Sequence, residues 1–256
     1  MEDIKRNITF NDYEYSINIY MPEENENINE NTPVLYVLDG EKYGILIKEI
    51  VKLQARNTYK TCVDNYIIVS IELTQDITEK RFYDYTRDLK EGNSAEVNNL
   101  DFEIGGAYDF NVFLESYVKK LVREELLFEP KKEVLFGHSL TAYYQIHLLE
   151  SKPNLFTDYI IISPSVWWNN YEALDYDFSK LHKYNTKIYI CAGELEGRLT
   201  IGVQKLKSNI LNYENTCVDI FKDENHASIL PTAISTGLRY IHDNYNYKKY
   251  VILNNN

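Results

Sequence analysis

The segment Phe136-Gly137-His138-Ser139-Leu140-Thr141-Ala142 joins a continuous apolar run, Glu133 to Gly137, to a stretch of helical spacing, Ala142 to Glu150. A serine on a tight strand-to-helix turn has its hydroxyl thrust clear of its own backbone, above the sheet edge. The N–H of the next residue, Leu140, points to the same place. The helix N-terminus adds partial positive charge where an oxyanion would form. This is the setting of the G-x-S-x-G nucleophile turn, and the chemistry it suits is acyl transfer. The pattern departs at Thr141, where glycine is expected and a β-branched side chain needs room made elsewhere. The plainer alternative is a strand-glycine-helix turn with a chance serine.

A serine nucleophile needs a base, and the base an acid that orients it. In this arrangement the chain order is serine, acid, histidine. His226, in Glu224-Asn225-His226, follows the last apolar run and precedes the last helical one, where the base must sit. Of the other histidines, His138 adjoins the serine on the wrong side of the turn, His147 lies mid-helix, His182 in a polar segment and His242 late in the final helix. Gly193-Glu194-Leu195-Glu196-Gly197 lies between serine and histidine. Glu196, just past the glycine that ends a strand, is the expected acid, and Glu194 is its competitor. Singly, these residues have bland readings: a structural histidine and two solvated acids on a turn. Their common placement after strands, in the required order, is what joins them. A second oxyanion N–H must come from the loop after an early strand. Leu38-Asp39-Gly40-Glu41 supplies it through the Glu41 backbone, with the glycine letting the main chain approach a substrate. Its bland reading is an ordinary Asp-Gly turn.

These residues need a scaffold that delivers strand ends to one edge. Tyr13 to Tyr20 alternates with a period of two and reads as an antiparallel edge strand. Continuous apolar runs, which suit strands covered on both faces, occur at 33–38, 66–71, 133–137, 159–163, 187–193 and 216–221. Helical spacing occurs at 45–60, anchored by Ile45, Ile50, Leu53 and Tyr59. It recurs at 108–127, with Phe110, Phe113, Leu114, Tyr117, Leu121 and Val122 on one face, and at 142–150, 200–212 and 229–245. Segments 22–32 and 72–104 read as polar and irregular, and Asn254 to Asn256 as an Asn-rich tail. The alternation predicts an α/β fold, a mostly parallel sheet with helices on both faces, in one domain over 1–256.

With 256 residues the chain is long enough to hold a core without disulfides or a metal. The net charge of -12, with Lys and Arg scattered, argues against nucleic acid or an anionic membrane as partner. No signal-type apolar segment and no run of about 18 apolar residues occurs, so the expected location is the cytoplasm. Cys62, Cys191 and Cys217 match neither a disulfide framework nor a zinc site and read as small buried residues. Gly105-Gly106 lacks either phosphate-loop pattern, and no metal-ligand spacing is present. Oligomeric state is not readable.

Taken in order, the segments resemble a family. Val34 to Gly40, Arg81 to Thr86, Gly105-Gly106-Ala107, Gly137 to Leu140, Ser163-Pro164-Ser165-Val166-Trp167-Trp168, Ala192 to Glu196 and Glu224 to Pro231 together resemble the esterase branch of the α/β-hydrolases that contains the ferric-enterobactin and related siderophore esterases. The resemblance implies an α/β-hydrolase fold and hydrolysis of a small-molecule ester by Ser139, His226 and an acid, without a cofactor. It also implies that Arg81 and Trp167-Trp168 lie near the site mouth, where a cation and aromatic faces suit an acidic or catechol-bearing ligand. The alternative is that Arg81 pairs with Asp84 and the tryptophans cover the core. The family usually has Leu-Gly-Gly where this chain has Leu140-Thr141-Ala142. That departure opens a rival reading, a binding protein on a disabled hydrolase scaffold. A thioesterase or sugar-ester deacetylase would use the same residues.

Overall fold

The computed structural model describes residues 2–22, 28–89, 99–210 and 212–242. Outside them lie residues 23–27 of the polar stretch after strand two, 90–98 of the 72–104 segment, Leu211, the predicted helical extension over 243–245 and the Asn-rich tail. One sheet organises the described residues: β1 (Ile4–Phe10), β2 (Tyr13–Tyr20), β3 (Val34–Val37), β4 (Ile67–Leu73), β5 (Glu133–His138), β6 (Asp158–Ile162), β7 (Lys187–Gly193) and β8 (Thr216–Phe221), in the spatial order β1-β2-β4-β3-β5-β6-β7-β8. β1 and β2 are antiparallel to their neighbours, and every pair from β4 to β8 is parallel. The alternation of Tyr13–Tyr20 thus marks an antiparallel strand, and β1 outside it is an addition. Its signal is Ile4, Ile8 and Phe10 at even spacing, followed by Asn11-Asp12, whose φ angles of 48° and 63° close the two-residue hairpin.

Two apolar layers cover the sheet. One face carries α1 (Gly40–Ala55) and α6 (Leu230–Ile241), through Ile47, Val51, Ala233, Ile234 and Leu238. The other carries α2 (Ile77–Tyr85), α3, α4 (Leu140–Ser151) and α5 (Arg198–Ile210), with Phe110, Phe113, Val122, Ile146 and Val203 in the core. α3 runs as Ala107–Phe113, a π-helical turn Leu114–Val118, and Lys119–Leu126. Burying these faces is the main stabilisation of such a fold. Among the described residues, no helix is long and apolar enough to cross a membrane.

Two helices depart from the periodicity. α1 starts five residues earlier than its spacing predicts, at Gly40, and its buried face is Gly40, Gly44, Ile47 and Val51. Ile45 and Leu53 face solvent, as does Tyr59 beyond the helix. Gly40 serves packing rather than substrate approach: a Cβ there would lie 2.2 Å from Ser70 Oγ and 2.8 Å from the Ile71 nitrogen. In α3 the π turn adds one residue, so Val118 is buried and Tyr117, expected on the apolar face, is exposed.

Candidate active site

The parallel strands β3 to β8 end at one sheet edge, and all but β4 deliver a candidate polar group there. β3 leads to Asp39 and Glu41, β5 to Ser139, β6 to Ser163 and Ser165, β7 to Glu196 and β8 to His226. The sheet order β3-β5-β6-β7-β8 makes these chain-distant residues neighbours.

Ser139 sits between β5 and α4 with φ 62° and ψ −114°, a conformation L-residues rarely adopt. Such backbone strain costs about 1–3 kcal/mol and persists only where the surroundings fix it. Here its N–H donates to the Ile162 carbonyl (3.0 Å), and its own carbonyl accepts from the N–H groups of Tyr143 (3.0 Å) and Ser165 (3.1 Å). Ser139 is half-buried among fully buried neighbours. Its Oγ lies 3.4 Å from the Ser165 hydroxyl, its hydrogen-bond partner among the described residues. Thr141 fits without displacing the turn. It is fully buried, and its Oγ1 accepts from the His138 N–H (2.8 Å) and donates to the His138 carbonyl (2.9 Å). The room thought necessary for a β-branched residue exists, and the hydroxyl braces the strand end.

Glu196 follows β7 on a short 3₁₀ turn, Glu194–Glu196. Its carboxylate is wholly covered and accepts three hydrogen bonds: from His226 Nδ1 (2.7 Å), Ser163 Oγ (2.7 Å) and the Gly193 N–H (2.5 Å). Burial pushes this carboxyl up, but the three donors outweigh burial and hold its pKa below the usual glutamate range. Gly193 is required by close approach, since a Cβ would meet the Glu224 carbonyl oxygen at 2.3 Å. Glu194, the competing acid, points instead to the Asp223 N–H (3.1 Å).

His226 rides on a turn tied by Asn225. The Asn225 Oδ1 accepts from the N–H groups of Ala227 (3.0 Å) and Ser228 (3.2 Å), and its carbonyl accepts from the Ile229 N–H (3.1 Å). The Leu195 N–H donates to the Glu224 carbonyl (2.9 Å), locking this turn to the one carrying Glu196. The His226 ring lies against the ring of His138, with centroids 4.4 Å apart. It makes no hydrogen bond to Ser139 in this arrangement, yet it sits against the residue next to the serine.

The oxyanion candidates, the Leu140 and Glu41 N–H groups, lie in the first turns of α4 and α1. First-turn N–H groups have no partner within the helix. The two helices follow β5 and β3, which are adjacent, with Leu38 N–H bonded to the Phe136 carbonyl (3.2 Å). The loop before α1 is held by Arg81, which grips the fully covered Asp39 carboxylate through two hydrogen bonds of 2.7 and 2.6 Å. Asp39 itself takes a left-handed conformation, φ 52°. Arg81 is therefore committed to Asp39 and supports the loop that carries Glu41. Its suggested partner Asp84 is taken by Lys80 (2.6 Å) and the Tyr15 hydroxyl (2.8 Å).

Trp168 is also placed differently from expectation. It is 2% exposed, packed on Phe82 with centroids 5.3 Å apart, and covers the core. Its neighbour Trp167 is the partly exposed one, with the Arg198 guanidinium 3.6 Å from its ring centroid. Ser163 and Ser165 carry contacts that no single motif assigned. The signal for them was topological: β6 lies between β5 and β7, so hydroxyls at its end face both.

The chain is similar to known esterases in sequence and fold. The model of the family described as "Putative esterase" matches residues 10–213. The ferri-bacillibactin esterase BesA of Bacillus subtilis (strain 168) is 30% identical over 225 residues, covering 81% of this chain and 78% of that protein. A siderophore enterobactin esterase of Emericella nidulans is 22% identical over 273 residues, covering 89% of each. Among solved structures, the BES protein from Bacillus cereus superposes with a TM-score of 0.84 at 29% identity, covering 94% of this chain and 96% of that one. The fold is that of the α/β-hydrolases, as the order of segments implied.

Proposed function

Because the chain belongs to the "Putative esterase" family and is a serine ester hydrolase, we propose that Ser139, His226 and Glu196 form its catalytic triad and that its substrates are siderophore-type lactones. The observation that carries the triad is the hydrogen bond from His226 Nδ1 to a fully covered Glu196 carboxylate, at the same sheet edge as a strained, half-buried serine. Donation from Nδ1 leaves Nε2 with its lone pair, the tautomer a base needs.

In the first step the Ser139 hydroxyl turns from Ser165 toward His226. Its Oγ bonds to the ester carbonyl carbon while its proton passes to His226 Nε2. The carbonyl oxygen, now negative, receives the N–H groups of Leu140 and Glu41, each worth about 100–1,000-fold in rate in comparable sites. His226 then gives its proton to the departing alkoxide, and the acyl group stays on Ser139. Water attacks the acyl carbon, losing its proton to His226, and Ser139 leaves with that proton restored. Glu196 holds the ring and offsets the positive charge it carries between these transfers. Arg81 acts at one remove, by fixing the loop that presents the Glu41 N–H. Trp167, two residues beyond Ser165, and Arg198, two residues beyond Glu196, supply the aromatic and cationic surface that suits an acidic, aromatic substrate.

Siderophore lactones are assigned as the substrate class from the relatives' activities, and free thiols at Cys62, Cys191 and Cys217 suit a reducing, cytoplasmic compartment. A fluorophosphonate probe is expected to label Ser139 and to leave Ser139→Ala unlabelled; equal labelling of both refutes the nucleophile. An ester panel that includes trilactone siderophores, thioesters and acetylated sugars, read by mass spectrometry, is expected to show cleavage of the trilactones. Turnover confined to thioesters or sugar acetates refutes the substrate class while leaving the triad intact.

A further inference from the structure

The His226 ring is fastened at a single edge. Glu196 holds Nδ1, while 41% of the side chain is exposed. One bond at one edge lets a ring swing about that bond, and a base misaligned by about 1 Å can lose two orders of magnitude in rate. A second contact is present on the ring's face. His138, the residue before Ser139, lies against it with centroids 4.4 Å apart and planes inclined by 32°.

Unlike His226, His138 is buried and held through its backbone and its ring Nδ1. It is 4% exposed, and its own N–H and carbonyl are both bonded to Thr141 Oγ1. Its Nδ1 is hydrogen-bonded to the Tyr43 hydroxyl (2.9 Å), and the Tyr43 ring stands edge-on to it, 5.5 Å away at 83°. Tyr43 lies on α1, two residues beyond Glu41. The same contact therefore joins the helix that presents one oxyanion donor to the loop that presents the base.

We propose that His138 is a positioning residue for ester hydrolysis: locked by Tyr43, its ring is the fixed surface that keeps the His226 imidazole turned toward Ser139. This rests on the reading of His226 as the base. The groups facing His138 are His226 and Glu196 from the turns after β8 and β7, Tyr43 on α1 and Arg81 from α2. Burial first, and then the neighbouring His226, hold the His138 pKa down to about 3, so its ring is neutral at neutral pH. When His226 takes the Ser139 proton it faces an uncharged π surface rather than a second cation. No proton enters or leaves His138. A contact that strengthens as the imidazolium forms acts on kcat more than on KM.

The test compares His138→Leu, which fills the space without a π face, with His138→Phe, which keeps one. Tyr43→Phe removes the anchoring hydroxyl, and Ser139→Ala and His226→Ala are references. All are measured in the full chain on a nitrophenyl ester, with thermal melting for each. The expected result is a fall in kcat of about 10- to 100-fold for His138→Leu, with KM within about twofold. His138→Phe should recover most of the loss, and Tyr43→Phe should lower kcat several-fold. If His138→Leu fails to fold, Tyr43→Phe decides the matter, and an unchanged kcat there overturns the proposal. Equal losses in the Leu and Phe variants also overturn it, because they would mark a merely structural role. An inactive His226→Ala with fully active His138 variants removes this proposal alone. An active His226→Ala removes the base and this proposal with it.

Discussion

Replacing Glu196 by Gln separates orientation of the base from stability of the fold. The side chains are nearly the same size, and Gln Oε1 can still accept from Ser163 and the Gly193 N–H, at 2.7 and 2.5 Å in the parent structure. The other end changes sign: an amide NH₂ replaces the oxygen that accepts from His226 Nδ1 at 2.7 Å. The imidazole can meet it by placing its proton on Nε2, which leaves no lone pair facing Ser139. The equivalent change in a serine protease triad lowers kcat by about 10,000-fold, or about 5.5 kcal/mol of transition-state stabilisation. Stability changes far less. Weakening one charge-assisted bond costs about 1.5–3 kcal/mol, a fall in Tm of about 3–12 °C for a chain of this size. Hydrolysis of a nitrophenyl ester, measured beside thermal melting, reads both quantities. Activity within tenfold of the parent would refute the assignment of Glu196 as the orienting acid. A collapse of both quantities together would show that the carboxylate is chiefly a structural anchor.

Thr141→Gly is expected to lower stability by about 1–2 kcal/mol, since it removes a buried hydroxyl with two partners and adds backbone freedom; kcat should not rise. A large gain in turnover, read beside the melting curve, would revive the view that threonine disables the turn. Glu196 also sets a pH dependence of stability. Its folded pKa lies below the ordinary value of 4.5, so its contribution is complete above about pH 4.5 and is lost as pH falls through the folded pKa. The acid-side decline of Tm below pH 4.5 should therefore be shallower in Glu196→Gln than in the parent chain, and identical slopes would contradict the shift.

The parallel strands of this fold were legible because each is a largely continuous apolar run bounded by polar turns, and β5 to β8 stand within a residue or so of their predicted bounds. Ser139, Glu196 and His226 were legible for a related reason: each directly follows such a run, so chain order alone places it at a strand end. What could not be read was any contact set by the third dimension. The spacing of Ile45 and Leu53 suggested one helical face, but the close approach of Gly40 and Gly44 to Ser70 turned α1 the other way. Arg81 has carboxylates on either side in sequence, and its choice of Asp39 over Asp84 depends on the packing of α2 against the β3 end. His138 looked misplaced because the turn points it away from Ser139. Only the path of the β8–α6 turn shows that His226 comes to it.

The π turn in α3 is, in effect, one residue threaded into a helix without lengthening what the helix spans. Ahead of it, Phe110 and Phe113 meet Tyr15 in the core; behind it, Lys119 reaches the Glu133 carboxylate (2.7 Å) and the Leu155 carbonyl (2.6 Å). A regular helix could not serve both ends, because the hundred or so degrees contributed by one residue would swing Lys119 away from its partners. The bulge acts as a phase adjuster between an aromatic half and an ionic half. It lets two sets of sheet contacts, made at different strands, share one continuous rod.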